Sequence, residues 1–387
     1  MKILAAITRT LGLIAGGSLA GLVLAEIVVR VFLPQPLLHD PDAFVEDPVL
    51  GARLKPGFSD RVTSTEFSST WTINSGGYRG PLAGERGAPS FRIVALGDSF
   101  TFGYGVEEEE SWPRRLESIL NGRRDASRWI EVVNLGVGGY GTWNEIRFLE
   151  RERDLLHPDL VLLAFYVGND PDDNVREEAR EAPEGPAIGS VRAARPPRSE
   201  RLKRWMGTHS QLYNLVATRG DEILVRTGLR KLVYPLEVDI LRSPEPASVS
   251  AGWKATRAAF AALRRLAEGD DLRIVPVLIP MKHQVSDEFW KRLTARYGSL
   301  SGDGAGRSFE RDRPQRILEG ILREEGFEPL DLVGDLRAAA GRGRGALYWA
   351  RDQHWNVRGH EVAARAIAAY LERQGLLPRR SSVAVSR

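Results

Sequence analysis

Residues 91–97 read FRIVALG, with Asp98 and Ser99 directly behind them. The run is short, apolar without alternation and closed by glycine, as expected of a strand buried on both faces. Three further runs repeat it: WIEVVNLG at 129–136, DLVLLAFYVG at 159–168 and LRIVPVLIP at 272–280. Between them the spacing turns helical, over about 112–121, 142–156 and 252–268. PLDLV at 329–333 and a helix over about 357–373 close the series. Buried strands alternating with helices predict an α/β fold, a three-layer α/β/α sandwich around a mostly parallel sheet.

Outward from this core the chain changes character. Residues 11–29, LGLIAGGSLAGLVLAEIVV, hold a single charge, Glu26. As a helix over 10–33 the segment would run about 36 Å at about 1.5 Å per residue, enough to cross a bilayer. Lys2 and Arg9 precede it, and Asp40, Asp42, Glu46 and Asp47 follow. That asymmetry predicts a single-pass anchor over 1–33, N-terminus in the cytoplasm and the rest across the membrane. A cleaved signal peptide is the alternative, since Val23-Leu24-Ala25 suits cleavage, yet the apolar run continues to Leu33. Glu26 and Arg30, four apart, are expected to pair or snorkel at the helix's outer end.

Residues 34–89 read as a juxtamembrane linker with one short strand in TEFSSTWTIN (65–74) and a turn at Ser75-Gly76-Gly77. The sheet domain is placed at 90–375. Within it, 171–249 breaks the strand–helix rhythm with APEGPAIG, ARPPRSER and a helical piece near 211–230. We read that segment as an insertion or lid over the sheet's carboxyl edge. Residues 376–387 read as a disordered basic tail.

Composition removes several function classes. Lys+Arg number 54 against 51 Asp+Glu, a net charge of only +3, so nucleic-acid binding has no electrostatic footprint. There is no cysteine, which excludes thiol nucleophiles, Cys-zinc sites and disulfides. None of the 6 histidines forms H-E-x-x-H or an i, i+4 pair, so no metal and no cofactor are expected.

Ligands of an open parallel sheet bind beyond the carboxyl ends of its strands. There the sequence places Gly97-Asp98-Ser99-Phe100, then Gly136-Val137-Gly138-Gly139-Tyr140-Gly141, then Gly168-Asn169-Asp170. Asp352-Gln353-His354-Trp355-Asn356 leads into the last helix. A serine hydroxyl needs an adjacent base, normally a histidine oriented by a carboxylate, and the oxyanion it creates needs N–H donors. Ser99, His354 and Asp352 supply the first set. The N–H groups of Ser99 and a glycine, with the Asn169 amide, supply the second.

These four blocks, in this order, resemble the SGNH hydrolases, also called the GDSL esterase/lipase family, over about residues 91–371. The resemblance implies an SGNH/flavodoxin-like sheet, with Ser99 as nucleophile, His354 as base and Asp352 as its orienting acid. It makes Gly139, five residues after Asn134, the oxyanion glycine and Asn169 a further donor. The family's last block is most often Asp-X-X-His; the Asp-X-His-Trp form here is similar to periplasmic polysaccharide O-acetyltransferases. Membrane-anchored bacterial members also carry a segment like TINSGGYRG (72–80) before the nucleophile. The implied activity is a serine esterase cleaving an acyl ester, short-chain or acetyl, of an O-acylated glycan or lipid. The alternatives are an O-acetyltransferase acting on a surface or exported polysaccharide, and a catalytically silent glycan-binding module.

Other readings are weaker. Gly136, Gly138 and Gly141 match the dinucleotide fingerprint, but Asp159, the acid at the required distance, precedes a strand instead of ending one. No G-x-S-x-G elbow of the α/β-hydrolase type is present. Asp98, Asp170, His283 and Trp355 lie at the same edge and are candidates for substrate contact; Trp112 and Trp355 suit a pocket wall or, more commonly, the core.

Overall fold

The computed structural model describes residues 2–35, 43–64, 66–122, 129–181, 198–226, 236–298, 308–342 and 345–378. Two compact units emerge, one of residues 1–40, 63–67 and 194–232, the other of 41–62, 68–193 and 233–387.

In the larger unit two antiparallel pairs come first: β1 (Phe44–Asp47) with β2 (Gly51–Leu54), and β3 (Ser59–Thr63) with β4 (Ser68–Thr72). The apolar runs then become β5 (Phe91–Gly97), β6 (Ile130–Gly136) and β7 (Leu160–Tyr166). After the two-residue β8 (Arg242–Ser243) come β9 (Ile274–Ile279), a short partner β10 (Ser308–Phe309) for β8, and β11 (Leu330–Asp331). The central sheet is ordered β11-β9-β7-β5-β6 with every pair parallel. Every residue of β6 and β7 is buried, which is why their sequences show no alternation. From β5 the chain winds out first to β6 and then through β7 to the other edge. The switch point therefore lies between β5 and β7, where doubly wound sheets take their ligands. Gly97 sits opposite Gly136 on one side and Ala164 on the other, so these strands present their ends at one level.

Helices Trp112–Asn121 and Val357–Arg373 pack together, as do Thr142–Leu156, Asp170–Glu181 and Ala247–Gly269. Right-handed crossovers put the two sets on opposite faces of the sheet. Three of these helices have the bounds their periodicity predicts. Ala247–Gly269 begins before the expected residue 252, because Pro246 at its N-cap starts a turn that is too weakly apolar to read.

Two expected segments look different in three dimensions. The stretch read as linker contains the β1–β2 hairpin. Four-residue strands such as FVED and GARL carry no legible period; contacts made elsewhere hold them, the Tyr140 hydroxyl donating to Ala52 O at 2.6 Å and the Asn144 amide to Leu50 O at 3.1 Å. Residues 171–249 do not form one body: helix Asp170–Glu181 belongs to the larger unit, Arg198–His209 and Gln211–Arg226 to the smaller. APEGPAIG, the start of ARPPRSER, the 227–230 end of the expected helix and most of the tail lie outside the described residues.

In the smaller unit, helix Lys2–Phe32 exposes most of its apolar side chains between Leu11 and Phe32, Val29 being buried. Over Arg9–Phe32 it is the one helix among the described residues long and apolar enough to span a bilayer, a test that a signal sequence also passes. Arg30 pairs with Glu26 at 2.7 Å, as their spacing predicts. The Glu26 carboxylate also accepts from Ser210 Oγ and from the N–H groups of Gln211 and Leu212 at 2.8–2.9 Å, capping helix Gln211–Arg226.

Candidate active site

The nucleophile candidate stands on a turn that only glycines permit. Gly97 ends β5 at φ +151°, and a Cβ there would run into Thr101 Oγ1. A Cβ on Gly136 would collide with the backbone of Phe102. With both absent, the single turn Ser99–Phe102 settles onto the strand ends. Asp98 caps it, its Oδ1 accepting the Phe100 N–H at 2.9 Å, and Gly103 closes it in the left-handed conformation.

Ser99 Oγ lies 2.7 Å from His354 Nε2, and His354 Nδ1 lies 2.6 Å from Asp352 Oδ1. The same Asp352 oxygen accepts the backbone N–H of His354 at 2.8 Å. That local turn explains how an Asp-X-His spacing works, since the carboxylate folds back over one intervening residue onto both ring and main chain. The imidazole stands near Phe100 and Tyr104, with centroids 5.0 and 4.6 Å away. Lys282, just beyond β9, donates to Asp352 O at 3.2 Å and Arg351 O at 3.4 Å, tying the histidine loop to the sheet. Burial pushes the Asp352 carboxyl up. Hydrogen bonds from His354, its charge and that of Lys282 outweigh burial and hold it below the usual aspartate value.

The glycine turn abuts Ser99: a Cβ built on Gly138 would lie 3.8 Å from Ser99 Cβ. Asn134 shapes its start by accepting the Gly136 N–H at 2.9 Å, and Gly139 adopts φ +82° with open space where a side chain would be. Asn169 donates one amide hydrogen to Asp173 Oδ2 at 2.8 Å, which fixes the amide and leaves the second hydrogen to point elsewhere.

Three of the substrate-contact candidates need correcting. Asp98, Asp170 and Trp355 are fully buried and have no surface to offer a ligand. Asp98 caps the turn Ser99–Phe102, Asp170 accepts the Tyr166 N–H at 2.9 Å, and Trp355 packs edge-on to Phe100 at 5.0 Å. Trp112 is core as well. His283 is only half-buried and packs edge-on to Phe289; burial and the Lys282 charge lower it to about 4.

Two residues escape the sequence reading. Arg79, inside TINSGGYRG, is buried and donates to four main-chain carbonyls, of Thr70, Phe102, Gly103 and Val106, at 2.7–3.0 Å. It thereby clamps the loop that follows Ser99. An arginine in a glycine-rich turn ordinarily reads as surface, so type alone conceals it. Glu145 is fully buried, with neither carboxyl oxygen hydrogen-bonded. Its spacing to Phe148 and Leu149 puts it on the apolar face of its helix, a signal that was available.

Burial, then the neighbouring Asp98 and Asp173, raises Glu145 well above an ordinary glutamate. Burial raises Asp170 too, and takes Asp173 up to about 7 against the pull of Arg176. Such carboxyls keep their protons to higher pH in the folded chain than in the unfolded one. Their contribution is therefore full below about pH 4 and is lost as pH rises through the folded value. His360, lowered to about 3 by burial, acts oppositely, losing stability as pH falls below about 6.5. Comparing Glu145→Met with the wild type isolates the carboxyl. The variant is expected to melt several degrees higher at pH 8, with the gain shrinking toward pH 4; a lower melting temperature at pH 8 would mean that the charge is needed.

The model of the GDSL-like lipase/acylhydrolase family matches residues 95–362. An arylesterase of Vibrio mimicus is 35% identical over 75 residues, 19% of this chain and 36% of the relative, so the match spans about a third of that protein. Among solved structures, an acetyl xylan esterase aligns over 73% of this chain and 100% of its own, at 13% identity and a TM-score of 0.40. A lipase/acylhydrolase from Enterococcus faecalis aligns over 73% and 96%, at 12% identity and a TM-score of 0.38.

Proposed function

The chain belongs to the GDSL-like lipase/acylhydrolase family, and from that premise we propose that it hydrolyses carboxylic esters through Ser99, His354 and Asp352. The observation that carries this reading is the continuous Ser99–His354–Asp352 relay at 2.7 and 2.6 Å. Ser99 Oγ attacks the ester carbonyl carbon while its proton passes to His354 Nε2. The carbonyl electron pair moves onto oxygen, and the N–H groups of Ser99 and Gly139 with the Asn169 amide receive the oxyanion. Donors so aimed contribute about 3 to 4 kcal/mol each to the transition state. Collapse breaks the bond to the alcohol oxygen, which takes the proton from His354 as it leaves. Water then attacks the acyl-serine, again losing a proton to His354; collapse breaks the bond to Ser99 Oγ, which takes that proton as the carboxylic acid departs. Asp352 stays ionised, holds the ring's tautomer and stabilises the imidazolium.

We place the catalytic unit outside the cytoplasmic membrane, held by residues 10–33, on the strength of Lys2 and Arg9 before the apolar helix and the acids after it. Protease added to intact cells should then digest it; a protected enzyme reverses the orientation.

The full chain, mixed with an aryl acetate and weighed intact at early times, is expected to gain one acetyl group. The adduct should map to Ser99 and be missing from Ser99→Ala. No adduct together with no turnover of any aryl ester overturns the reading. A glycan acceptor added to the same reaction tells water from sugar as the second acceptor. Acetylated glycan would favour the O-acetyltransferase reading that the Asp-X-His-Trp block supports.

A further inference from the structure

Glu26 is the one charge in residues 11–29, and what it holds fixes the depth of a second part of the chain. Counted from Arg9, a hydrocarbon core about 30 Å thick takes up about 20 helical residues and ends near Val29. Glu26 then lies about 4 to 5 Å beneath that surface, at about 1.5 Å per residue. Its carboxylate accepts from the Ser210 hydroxyl and from the N–H groups of Gln211 and Leu212, at the corner between helices Arg198–His209 and Gln211–Arg226. Arg30, one turn further out, donates to the His209 carbonyl at 2.6 Å, and the Gln211 side chain accepts the Gln35 N–H at 3.0 Å. The corner therefore straddles the edge of the hydrocarbon.

Given the anchoring proposed above, and independently of the ester chemistry, we propose that these two helices form a hairpin embedded in the leaflet at the C-terminal end of helix Lys2–Phe32. Lipid covers its apolar side chains. Leu202, Trp205 and Val216 are 54%, 57% and 59% exposed, all within eight residues of Ser210. In water that cluster would be a liability; at this depth it faces a solvent as apolar as itself. Trp205 stacks on His209 with ring centroids 4.9 Å apart, and the His209 carbonyl holds Arg30. The indole thus stands at the level where aromatic side chains gather in membranes. Leading in, residues 192–204 read RAARPPRSERLKR, six basic residues against one acid, a match for anionic headgroups.

The same arrangement accounts for Glu26. An ionised side chain beneath the hydrocarbon surface persists only with partners. Arg30 supplies one at 2.7 Å and the corner three more at 2.8–2.9 Å, so the hairpin has to stand at the depth of the carboxylate. Val29, one turn from Glu26, is buried where helix Gln211–Arg226 packs against the anchor, while Leu22, Ile27 and Val28 stay exposed. The lipid that surrounds those three side chains lies directly beside the hairpin.

The chain has no cysteine, so a single cysteine at an exposed position carries a nitroxide label cleanly. Leu202→Cys and Val216→Cys in the full chain are the test. Ile27→Cys in the anchor and Asp154→Cys, whose side chain is 91% exposed in the larger unit, are the references. Each protein is reconstituted in vesicles of phosphatidylethanolamine and phosphatidylglycerol, and spin resonance reads collisions with oxygen and with a water-soluble nickel chelate. Labels at positions 202 and 216 are expected to behave as the one at 27 does, rich in oxygen collisions. Their nickel collisions should be about tenfold fewer than at 154, because a hydrated chelate stays out of hydrocarbon. Nickel reaching 202 and 216 as freely as 154, with 27 still shielded, overturns the embedded hairpin and leaves the anchor standing. Labels at 202 and 216 shielded from both agents mean that protein covers the face instead of lipid, and overturn it too. Nickel reaching all four positions overturns the anchor and the hairpin together.

Discussion

Replacing Ser99 and His354 by alanine, singly and together, is expected to lower kcat for an aryl ester by about 10⁵- to 10⁶-fold in all three variants. The losses do not multiply, because the two groups are halves of one step. Without the hydroxyl, no atom accepts the acyl group. Without the imidazole, 2.7 Å away, the hydroxyl's proton has no destination. Turnover about 10³-fold above that of water alone should survive each change, supplied by the oxyanion donors and by binding. Asp352→Asn is expected to cost less, about 10⁴-fold, since it leaves the base present in the wrong tautomer. Steady-state kinetics on the four proteins checks this, with melting temperatures close to wild type establishing that each variant is folded. Losses that multiply in the double variant, or a His354→Ala enzyme with a tenth of normal activity, would remove the triad from the mechanism.

Arg79→Met is the second large effect, expected to cost about 3 to 5 kcal/mol of stability and to lower kcat by more than tenfold. The guanidinium is buried and satisfies four carbonyls, two of them, those of Phe102 and Gly103, at the end of the nucleophile turn. Methionine fills much of the volume but leaves those oxygens without donors in a place closed to water. Arg79→Lys keeps a charge yet has no fork of donors with which to span separate carbonyls, so it should recover only part of the loss. Urea unfolding gives the stability, read from the midpoint, and ester kinetics the activity. A midpoint and kcat both at wild-type values would show that the clamp does nothing.

The sequence discloses those parts of the molecule that local rules determine. β5, β6, β7 and β9 are legible because burial on both faces leaves nearly continuous apolar runs, interrupted only at Arg92, Glu131 and Asn134. The helices Trp112–Asn121, Thr142–Leu156 and Val357–Arg373 are legible because one face of each is apolar at helical spacing. Ser99, His354 and Asp352 can be singled out because a serine-based mechanism calls for those residue types at that edge of the sheet, and the structure brings them together at 2.7 and 2.6 Å. What escapes is held by partners distant in the chain. The β1–β2 hairpin depends on Tyr140 and Asn144, about ninety residues on. Arg79 looks like surface until the carbonyls around it are seen. Asp98, Asp170 and Trp355 sit at the right edge but face inward, a distinction that rests on packing and not on position along the chain.

Ser99 and His354 touch across 255 residues of chain, and this has a consequence for the time at which the enzyme comes alive. At the usual pace of translation the ribosome makes the nucleophile on the order of 10 to 50 s before it makes the base. The loop carrying Asp352 and His354 then needs the final helix, Val357–Arg373, to dock against Trp112–Asn121. On the proposed mechanism, a nascent chain that has not reached His354, or one cut ahead of it, is a hydrolase without its base, inert toward the esters of the cell that builds it. On that mechanism activity arrives last, and a single cut ahead of His354 is enough to extinguish it.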